Sequence, residues 1–485
     1  MMVAEPVAIV VADLGYGDGG KGTITDFLCH RLGIEAAYKH AGGPNSVHHV
    51  VTDEVEVASS CFASHQSPVT RTHLGPEFVI KPANLLLEAR DIQGRLGFSP
   101  LPRLSVDPSA RIALPYHAIV GQMREVEAGM RRRGSTGLGV GEVVLDASVD
   151  PALALTVSDC LDPQTLPRKI ARIVDLKVSQ AEEIVARSPR DALHRFLKEL
   201  KSEPFSPEHV SSLAVMFREL VAVANSESFL TDEFRQGRSV MCEGVHGTLI
   251  DSEFGFPPHV TRRCTTAAAT RAMVDSLDVR PRVITVGVVR AVAFRHGPGP
   301  FVTQDDAAFA HVIEAHNKEN HWQGKPRYGW FDTVATRYAM DCNRDLDIIA
   351  VTMLDLLVPL SQLYVATGYM LPSQLADICQ DHFDTERLDD ASLLVRGIRR
   401  IKPQEPRLTA LLTKCRPMLA LLGRRKMGTT EGTILQDELV RAFLRYLEST
   451  EGLGRPADIL SYGPRRMHKT ATAGLWKRFA GEAHA

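Results

Sequence analysis

The sequence predicts an α/β protein in which helices flank a central, mostly parallel β-sheet. Short apolar runs recur along the chain, as is typical of parallel strands that are buried on both faces. Longer segments with helical periodicity lie between these runs, and the first run leads into a glycine-rich loop. Because strands and helices alternate, we expect the strands to pair in parallel through helical crossovers.

Each predicted element follows from one of these patterns. The apolar runs predict strands at residues 7–12, 239–242, 282–289 and 347–353. The periodic segments predict helices at residues 24–32, 166–185, 191–200, 211–225, 333–341 and 435–447. Residues 371–430 are rich in Leu, Arg and Pro and lack a clear strand rhythm. They predict a helical insertion near the C-terminal third of the chain.

The composition excludes two broad classes of protein. The 485 residues include 56 Lys and Arg against 58 Asp and Glu, a net charge of −2 that excludes a strongly basic nucleic-acid scaffold and an acidic tail protein. The eight cysteines form no Cys-x-x-Cys pair, which favours reduced thiols, and no apolar run approaches membrane-spanning length. We therefore expect a cytoplasmic protein with neither a nucleic acid nor a membrane as partner.

The glycine-rich loop after the first predicted strand is the clearest candidate for a phosphate site. It reads Gly15-Tyr-Gly17-Asp18-Gly19-Gly20-Lys21-Gly22-Thr23, and helical sequence follows it. A strand, a glycine loop and a helix N-terminus together form a phosphate-binding geometry, because backbone N–H groups point at the anion. The loop is therefore predicted to be P-loop-like, with a purely structural glycine turn as the alternative.

Two nucleotide-binding patterns partly match this loop. Gly15, Gly17 and Gly20 satisfy the dinucleotide fingerprint of dehydrogenases. Gly15, Gly20 and Lys21 satisfy most of a P-loop, although Gly22 stands where that motif has a magnesium-binding Ser or Thr. Lys21 favours phosphoryl transfer over dinucleotide binding, because its charge suits a terminal phosphate.

Asp18 and a second glycine-rich segment indicate catalysis. A carboxylate beside phosphates is repulsive unless a metal ion or a proton makes use of it. Residues 42–49 form a second Gly-rich segment and contribute Asn45, His48 and His49. A pair of histidines is more often a feature of a surface loop, but its combination with the Asp18 loop favours a reaction site.

Ordered motifs over nearly the whole chain carry a family resemblance. The loop at residues 16–23 is similar to Trp-Gly-Asp-Glu-Gly-Lys-Gly-Lys, and residues 42–49 are similar to Gly-Gly-Asn-Asn-Ala-Gly-His-Thr. Further motifs keep the same order at residues 114–117, 134–141, 243–251, 259–261, 287–301, 329–332, 352–355 and 461–464. In these motifs the chain resembles the adenylosuccinate synthetase family.

The resemblance implies a fold and an activity. Members are GTP-dependent carbon–nitrogen ligases of purine biosynthesis that join the aspartate amine to C6 of IMP. They use Mg²⁺ and are usually cytoplasmic homodimers. It also implies that residues 1–485 form one large catalytic domain, with residues 371–430 as an insertion within it.

The resemblance assigns two catalytic residues. Asp18 matches the base that removes the N1 proton of the purine, so that O6 attacks the γ-phosphate of GTP. His48 matches the general acid that stabilises the charge developing during phosphoryl transfer. Asp18 and the backbone carbonyl of Val47 match the ligands of Mg²⁺.

The remaining site residues are carried over motif by motif. The GTP-binding set is Gly17, Asp18, Gly19, Gly20, Lys21, Gly22, Thr23, Val47, His48, His49, Arg327, Met353, Leu354, Asp355, Ser461, Tyr462 and Gly463. The set that binds the IMP-like acceptor is Asp18, Lys21, Asn45, Ser46, Val47, His48, Thr136, His246, Thr261 and Lys325. The amino-acid-binding set is Gln323, Lys325 and Arg327.

Departures from the family pattern fall in the nucleotide sites. Gly19 and Thr23 replace a glutamate and a lysine of the loop, which weakens its grip on phosphate. His246 replaces a glutamine at the purine edge, where one imidazole nitrogen cannot both donate and accept as an amide does. Met353 replaces a lysine of the guanine motif, so ATP is less strongly excluded.

Further departures fall in the phosphate and amino-acid sites. The family's partner-subunit arginine has no counterpart in residues 142–159, and we expect Arg262 or Arg263 to supply that charge in cis. The threonines that contact aspartate are absent from residues 322–328, and Lys325 cannot form an arginine's bidentate contact. Another acceptor or amino acid, or a silent nucleotide-binding paralogue, therefore remains an alternative.

Overall fold

The computed structural model describes residues 5–52, 55–202, 207–312, 314, 316–425 and 433–480. Its strands, in chain order, are β1 (Val7–Asp13), β2 (Ala36–Gly42), β3 (His48–Val51), β4 (Glu56–Ser59), β5 (Arg71–Ile80), β6 (Leu104–Val106), β7 (Arg111–Ile112), β8 (Ala222–Val223), β9 (Val240–Glu243), β10 (Arg282–Arg290), β11 (Ala293–Arg295), β12 (Arg327–Gly329), β13 (Phe331–Asp332), β14 (Ile348–Thr352), β15 (Gln362–Pro372), β16 (Phe383–Arg387), β17 (Ser392–Ile398), β18 (Arg416–Arg424), β19 (Ile459–Ser461) and β20 (Lys469–Ala471).

The helices flank these strands. They are α1 (Lys21–Leu32), α2 (Pro82–Leu96), α3 (Pro115–Ala128), α4 (Val140–Val149), α5 (Val157–Leu161), α6 (Thr165–Arg187), α7 (Asp191–Ser202), α8 (Pro207–Val215), α9 (Ser226–Arg235), α10 (Ala268–Asp275), α11 (Thr333–Cys342), α12 (Ala376–Cys379), α13 (Pro406–Leu412), α14 (Glu438–Glu448) and α15 (Ala473–Ala480). Within the described ranges, none of them is both long and apolar enough to span a lipid bilayer.

An eleven-stranded sheet forms the centre of the protein. Its order is β20-β19-β14-β10-β1-β9-β2-β5-β6-β8, with β7 beside β5. The pairs are parallel except for β19 with β20. The prediction of a mostly parallel sheet flanked by helices is therefore confirmed, and all four predicted strands belong to this sheet.

The first strand shows why an apolar run predicts a doubly covered sheet. Val7, Ile9 and Val11 pack in one hydrophobic cluster with α1, while Ala8 and Val10 pack in another on the opposite face. Every residue of β1 is buried. Alternate side chains thus reach two cores, so no polar position interrupts the run.

The prediction of a helical insertion at residues 371–430 is wrong. The segment contributes β16, β17 and β18, which extend antiparallel from β15, with only the short helices α12 and α13 between them. Leu419 and Leu421 of β18 remain 40% and 43% exposed. Because β18 carries apolar side chains on both of its faces, it lacks the alternation of apolar and polar residues that would have indicated a strand. Residues 426–430 lie outside the described part of the chain.

The predicted helix at residues 211–225 ends early. The helical conformation of α8 continues through a π-helical turn, Met216–Leu220, and strand β8 then follows, so the helix ends before residue 225. Ala222 and Val223 pair in parallel with β6 at the sheet edge. This pairing is a tertiary contact that overrides local helical preference.

Parallel pairing fixes where a site can form. Strands β1, β2, β9, β10 and β14 all run in the same direction, so their carboxyl ends lie at one edge of the sheet. Ligands of open parallel sheets bind in the crevice outside these ends.

Candidate active site

A cleft of about 950 Å³ lies at the carboxyl ends of the strands. Many of the residues predicted from the sequence line it: Gly17, Asp18, Lys21, Asn45, Ser46, Val47, His48, His49, Thr136, His246, Thr261 and Gln323. The other predicted residues also fall in the described ranges but do not line this cleft: Gly19, Gly20, Gly22, Thr23, Lys325, Arg327, Met353, Leu354, Asp355, Ser461, Tyr462 and Gly463. Hydrogen bonds and an ion pair join loop residues of both sets.

The phosphate loop is organised by the buried carboxylate of Asp13, at the end of β1. Asp13 accepts hydrogen bonds from the backbone N–H groups of Gly15 (2.8 Å) and Gly19 (2.9 Å) and forms an ion pair with Lys21 (3.0 Å). Lys21 also donates to the carbonyl of His246 at 2.6 Å. Lys21 therefore holds the loop together as well as standing at the cleft.

Gly22, which breaks the P-loop pattern, has a steric explanation. A Cβ at this position would lie 2.7 Å from the Cβ of His48. The first turn of α1 can approach His48 only because Gly22 has no side chain. The glycine that departs from the P-loop motif therefore allows the loop and the histidine to lie together.

Asp18 lies at the tip of the loop. Its backbone is left-handed (φ 54°), its side chain is 47% exposed, and Nε2 of His296 lies 3.7 Å from its carboxylate. Arg290, at the end of β10, donates to the Asp18 carbonyl at 2.7 Å, and Thr352, at the end of β14, donates to the Gly19 carbonyl at 2.7 Å. Neighbouring strands thus fix the loop while its carboxylate stays accessible.

His48 is held by a buried network that the sequence did not reveal. Its Nδ1 lies 3.1 Å from Glu243 Oε2 and 2.9 Å from Ser64 Oγ. Ser64 donates to Glu243 through its N–H and its hydroxyl, both at 2.7 Å, and Lys39 donates at 3.3 Å. With Nδ1 engaged, Nε2 is the ring nitrogen left for a ligand.

The charges of this network set its protonation. Burial opposes ionisation of Glu243, yet Lys39, His48 and the Ser64 N–H together hold the pKa of that carboxyl well below its usual range. Burial lowers the pKa of His48, and its hydrogen bond to Glu243 opposes that shift. Glu243 is thus an ionised support for the histidine.

His246 faces Asn45 across the cleft. Its Nε2 lies 3.5 Å from Asn45 Nδ2, and its backbone is left-handed (φ 52°). Burial lowers the pKa of His246 to about 3, and nearby Arg263 contributes to that shift. His246 is therefore neutral at pH 7, with one ring nitrogen as a donor and the other as an acceptor.

The two arginines after Thr261 occupy different environments. Arg263 is buried and donates to the carbonyl of Gly42, but its Nε and Nη2, like the Oδ1 of Asn45, have no partner among the described residues. Both arginines line the cleft, but Arg262 is only half-buried, and its Nε is 4.0 Å from the position of a Cβ on Gly141. Of the two, Arg262 is the more accessible.

Arg262 stands near the N-terminus of α4, after the glycine-rich loop that contains Thr136. Gly139 caps this helix with a left-handed backbone (φ 83°), and a Cβ there would lie 2.5 Å from the N of Ala118. The nearby acid Glu142 is already engaged by Arg124 (3.2 Å) and Lys177 (3.3 Å). A helix N-terminus beside a cation is suited to an anion.

The predicted guanine site lies beyond the phosphate loop. Thr23 donates to the carbonyl of Pro464 at 3.4 Å, which joins the start of α1 to the loop after β19. Asp355 follows the left-handed Met353, and its buried Oδ1 has no partner among the described residues. Burial raises the pKa of Asp355. A buried, unpaired carboxylate oxygen calls for a hydrogen-bond donor.

A buried lysine supports the second half of that site. Lys469 donates to the carbonyls of Gly463 (3.1 Å), Pro464 (2.9 Å) and Arg465 (2.7 Å). Burial lowers the pKa of Lys469 to about 8. This side chain fixes the loop that follows Ser461 and Tyr462.

The predicted amino-acid residues are only partly free for a ligand. Arg327 donates to the carbonyls of Gly297 (2.5 Å) and Gly299 (3.2 Å) and to Gln304 (3.1 Å). Lys325 is exposed, and Gln323 lines the cleft. Both terminal nitrogens of Arg327 are thus engaged within the chain.

The donors proposed for a metal ion suit magnesium. The Asp18 carboxylate is accessible and Val47 lines the same cleft. A carboxylate and a carbonyl are the oxygen ligands that Mg²⁺ prefers, with phosphate oxygens and water completing its shell. The residues present therefore fit the ion.

Three supporting residues were given no role by the sequence analysis, although two of them lie in family-like motifs: Asp13, Glu243 and Arg290. Asp13 and Glu243 end strands β1 and β9, and Arg290 ends β10. A charged residue at the end of an apolar strand was the available signal, because the carboxyl ends of parallel strands gather at one edge. Nothing in the spacing along the chain linked them to Asp18 or His48.

This chain is similar to known proteins over nearly its full length. The family model for adenylosuccinate synthetase matches residues 10–469. Adenylosuccinate synthetase 2 of Chromobacterium violaceum is 28% identical over 471 residues, 94% of this chain and 96% of that protein. Adenylosuccinate synthetase of Actinobacillus pleuropneumoniae serotype 5b is 28% identical over 472 residues, 96% of this chain and 98% of that protein.

Two solved structures share the fold. Fully ligated adenylosuccinate synthetase from Plasmodium falciparum aligns with a TM-score of 0.72 at 18% identity, covering 96% of this chain and 99% of that one. The succinoaminodeoxyadenylate synthetase of cyanophage S-2L, bound to dGMP and dATP, aligns with a TM-score of 0.54 at 17% identity, covering 98% and 99%.

Proposed function

We propose that this chain, which belongs to the adenylosuccinate synthetase family, is an active ligase with Asp18 and His48 as its catalytic residues. The family condenses IMP with aspartate, uses GTP as co-substrate and requires Mg²⁺. One observation carries the proposal: Asp18 and the Glu243-supported His48 line the same cleft. A silent paralogue has no need for a buried carboxylate network that orients one histidine.

The two residues take complementary roles. The accessible Asp18 carboxylate removes the N1 proton of a 6-oxopurine, which makes O6 a nucleophile toward the γ-phosphoryl group. His48, oriented through Nδ1, presents Nε2 to the phosphoryl group and donates a hydrogen bond as negative charge develops. Mg²⁺, when held by Asp18 and the Val47 carbonyl, neutralises phosphate charge. The amine of the amino acid then displaces phosphate from C6.

The acceptor's 5′-phosphate is assigned to the wall formed by Thr136, Thr261 and the N-terminus of α4. Arg262 is assigned as the cation of this subsite because it is the more exposed of the two arginines that line the cleft, whereas Arg263 is buried and donates to Gly42. The unpartnered atoms of Arg263 and Asn45 are places where a ligand group restores lost hydrogen bonds. The arginine that other members take from a partner subunit is thereby replaced in cis.

The donor nucleotide is assigned to GTP because of Asp355. Its unpartnered carboxylate oxygen suits the adjacent N1–H and N2–H donors of guanine. Gly17, Gly19, Gly20, Lys21 and the first turn of α1 hold its phosphates. The loop supported by Lys469, Ser461–Gly463, covers the base.

Aspartate is assigned as the amine donor, with Gln323, Lys325 and Arg327 at its carboxylates. We also propose a cytoplasmic homodimer whose single domain spans the chain. Light scattering of the purified protein at several concentrations tests the dimer: a mass of about twice 53.3 kDa is expected, and a concentration-independent monomer contradicts it.

Phosphate release tests the activity. GTP and ATP are crossed with IMP, dIMP, GMP and dGMP, each with aspartate and with other amino acids. Release that requires GTP, IMP and aspartate, and that is lost in Asp18→Ala and His48→Ala, supports the proposal. Tight nucleotide binding without turnover in every combination contradicts it.

A second candidate keeps the chemistry and changes the substrates. His246 in place of a glutamine alters the purine edge, and Met353 in place of a lysine removes a charge from the donor site. The cyanophage S-2L enzyme of the same fold was solved with dGMP and dATP. A preference for dGMP and an adenine nucleotide in the same assay would favour this candidate over IMP and GTP.

A further inference from the structure

We propose that His49, Glu56 and His316 form a binding site for one divalent transition-metal ion of the zinc class. His49 and Glu56 lie on strands β3 and β4, which pair with each other, and His316 lies between β11 and β12 in the chain and contacts both residues. One candidate ligand atom from each residue lies within 4.8 Å of the other two. The cluster stands beside the catalytic cleft, since His49 and His316 both line it.

The distances in the cluster match those between ligands of one ion. Nδ1 of His49 lies 3.3 Å from Glu56 Oε1, and Nε2 of His316 lies 3.2 Å from the same oxygen. Zinc–nitrogen and zinc–oxygen bonds of about 2.1 Å in a tetrahedral shell place two ligands about 3.4 Å apart. The side chains are thus nearly at coordinating separation.

The donor set selects the class of metal. Two imidazoles and one carboxylate are typical ligands of zinc and other transition metals, whereas Mg²⁺ prefers oxygen atoms alone. The set is therefore chemically distinct from Asp18 and the Val47 carbonyl. His49 also stands where the family motif has a threonine, so this chain carries a ligand that the family pattern lacks.

One rearrangement accompanies binding. The His49 and His316 rings stack with centroids 3.8 Å apart and an angle of 21° between planes, and one ion cannot lie in two stacked planes. The His316 side chain is 36% exposed, so its ring can turn toward Glu56 without disturbing a core. Three protein ligands then leave a fourth position for water or a small anionic ligand.

The ion would join segments that meet at the active site. His49 follows the catalytic candidate His48 directly. Two residues before His316, Glu314 pairs with Arg290, which in turn donates to the Asp18 carbonyl. A metal between hairpin and segment therefore ties His49, next to His48, to the segment that contacts Arg290.

Metal binding to the full-length chain tests the proposal. Metal-free protein is titrated with Zn²⁺ by calorimetry in the presence of millimolar Mg²⁺, which saturates oxygen-only sites. One ion per chain is expected, with at least about 100-fold weaker affinity in His49→Thr and His316→Ala, since even the loss of outer-shell partners costs about 10–100-fold. Glu56→Gln, which keeps one oxygen and loses the charge, is expected to weaken binding at least about 10-fold.

A matched control and a spectrum sharpen the result. His311→Ala removes an exposed histidine of the same segment and should bind Zn²⁺ as the unmodified chain does. Co²⁺ should give the visible absorption of a four- or five-coordinate nitrogen–oxygen site. No zinc binding, equal affinity in all variants, or a thiolate charge-transfer band would overturn the proposal. Circular dichroism verifies folding, and His316→Asn replaces any variant that fails to fold.

Discussion

Glu243 Oε2 lies 3.1 Å from Nδ1 of His48, and both side chains are buried. Glu243 ends β9, whereas His48 begins β3, 195 residues earlier. The carboxylate engages Nδ1, leaves Nε2 for a ligand and favours the protonated ring. A histidine in a buried site gains its acid function from such a partner, because burial alone disfavours its charged form.

Replacing Glu243 with glutamine should lower kcat about 100-fold, within the range of general acid catalysis. Loss of the negative charge lowers the pKa of His48 further, so the protonated form disappears at lower pH. The alkaline limb of the kcat–pH profile should therefore move to lower pH. Rates from a stopped assay over a series of pH values measure this shift of the alkaline limb.

Ser64→Ala is the matched control for that prediction. It removes hydrogen bonds to Glu243 and His48 but keeps the carboxylate charge. The limb should move less than in Glu243→Gln. Equal shifts in the two variants would show that packing, rather than charge, supports His48.

Replacing Asp18 with asparagine should abolish most turnover while changing nucleotide affinity much less. Asn tolerates the left-handed backbone at this position (φ 54°), so the loop should keep its shape. Loss of a general base predicts a kcat about 1,000-fold lower. Single-turnover phosphate release gives the rate, and calorimetry gives the affinity. His296→Gln alters the neighbour 3.7 Å away and should retain activity; comparable loss there would contradict a special role for Asp18.

Replacing Arg262 with alanine should weaken binding of the acceptor nucleotide. One lost cation at a phosphate predicts KM for the acceptor to rise about 10-fold, with a weaker dependence on salt, because exposed charges are screened. KM is measured at several ionic strengths. Arg263→Ala should mainly reduce thermal stability, with a smaller effect on KM, since Arg263 is buried and donates to the Gly42 carbonyl. Unchanged KM and salt dependence in both variants would remove the arginines from this role.

Replacing Lys21 with methionine should destabilise the fold. Lys21 and Asp13 form a buried pair, with side chains 4% and 2% exposed. Breaking such a pair leaves an uncompensated charge and costs about 3–5 kcal/mol. Denaturant unfolding measures the change. Arg95→Met removes an exposed pair with Asp91 and should have little effect; a similarly small effect of Lys21→Met would refute the structural role of the pair.

Replacing Asp332 with asparagine should stabilise the protein above pH 6. Burial raises the pKa of Asp332 to about 6. The folded state therefore holds a proton that the unfolded state releases near pH 4, so this residue's contribution to stability falls as pH rises from about 4 to about 6. A difference of about two pKa units corresponds to about 3 kcal/mol.

Unfolding of both proteins from pH 4 to pH 8 measures the Asp332 effect. Asparagine still accepts from the Ala335 N–H and can donate to the Tyr369 oxygen, so the local contacts persist. The difference in unfolding free energy should grow in favour of the Asp332→Asn variant as pH rises across this interval. A difference that does not change with pH would contradict a raised pKa.

The site illustrates how far local sequence reaches. The loop from Gly15 to Thr23 and the segment from Gly42 to His49 could be predicted from the sequence. Each is contiguous, and phosphate binding and acid–base catalysis each need particular residue types. The contacts of Glu243 with His48 and of Arg290 with Asp18 could not be predicted, because they form where separate strands end side by side. The β-structure of residues 371–430 was missed because apolar side chains lie on both faces of β18.

The sequence by itself determined the parallel sheet, the phosphate loop and the two catalytic candidates, because burial of β1 on both faces and the geometry of a glycine loop are local requirements. Only the tertiary structure decided which residues support them. It paired Lys21 with Asp13, placed Glu243 behind His48 and distinguished the half-buried Arg262 from the buried Arg263 on the same cleft. Hydrogen bonds and ion pairs act over about 3 Å in space, and no spacing along the chain records that distance.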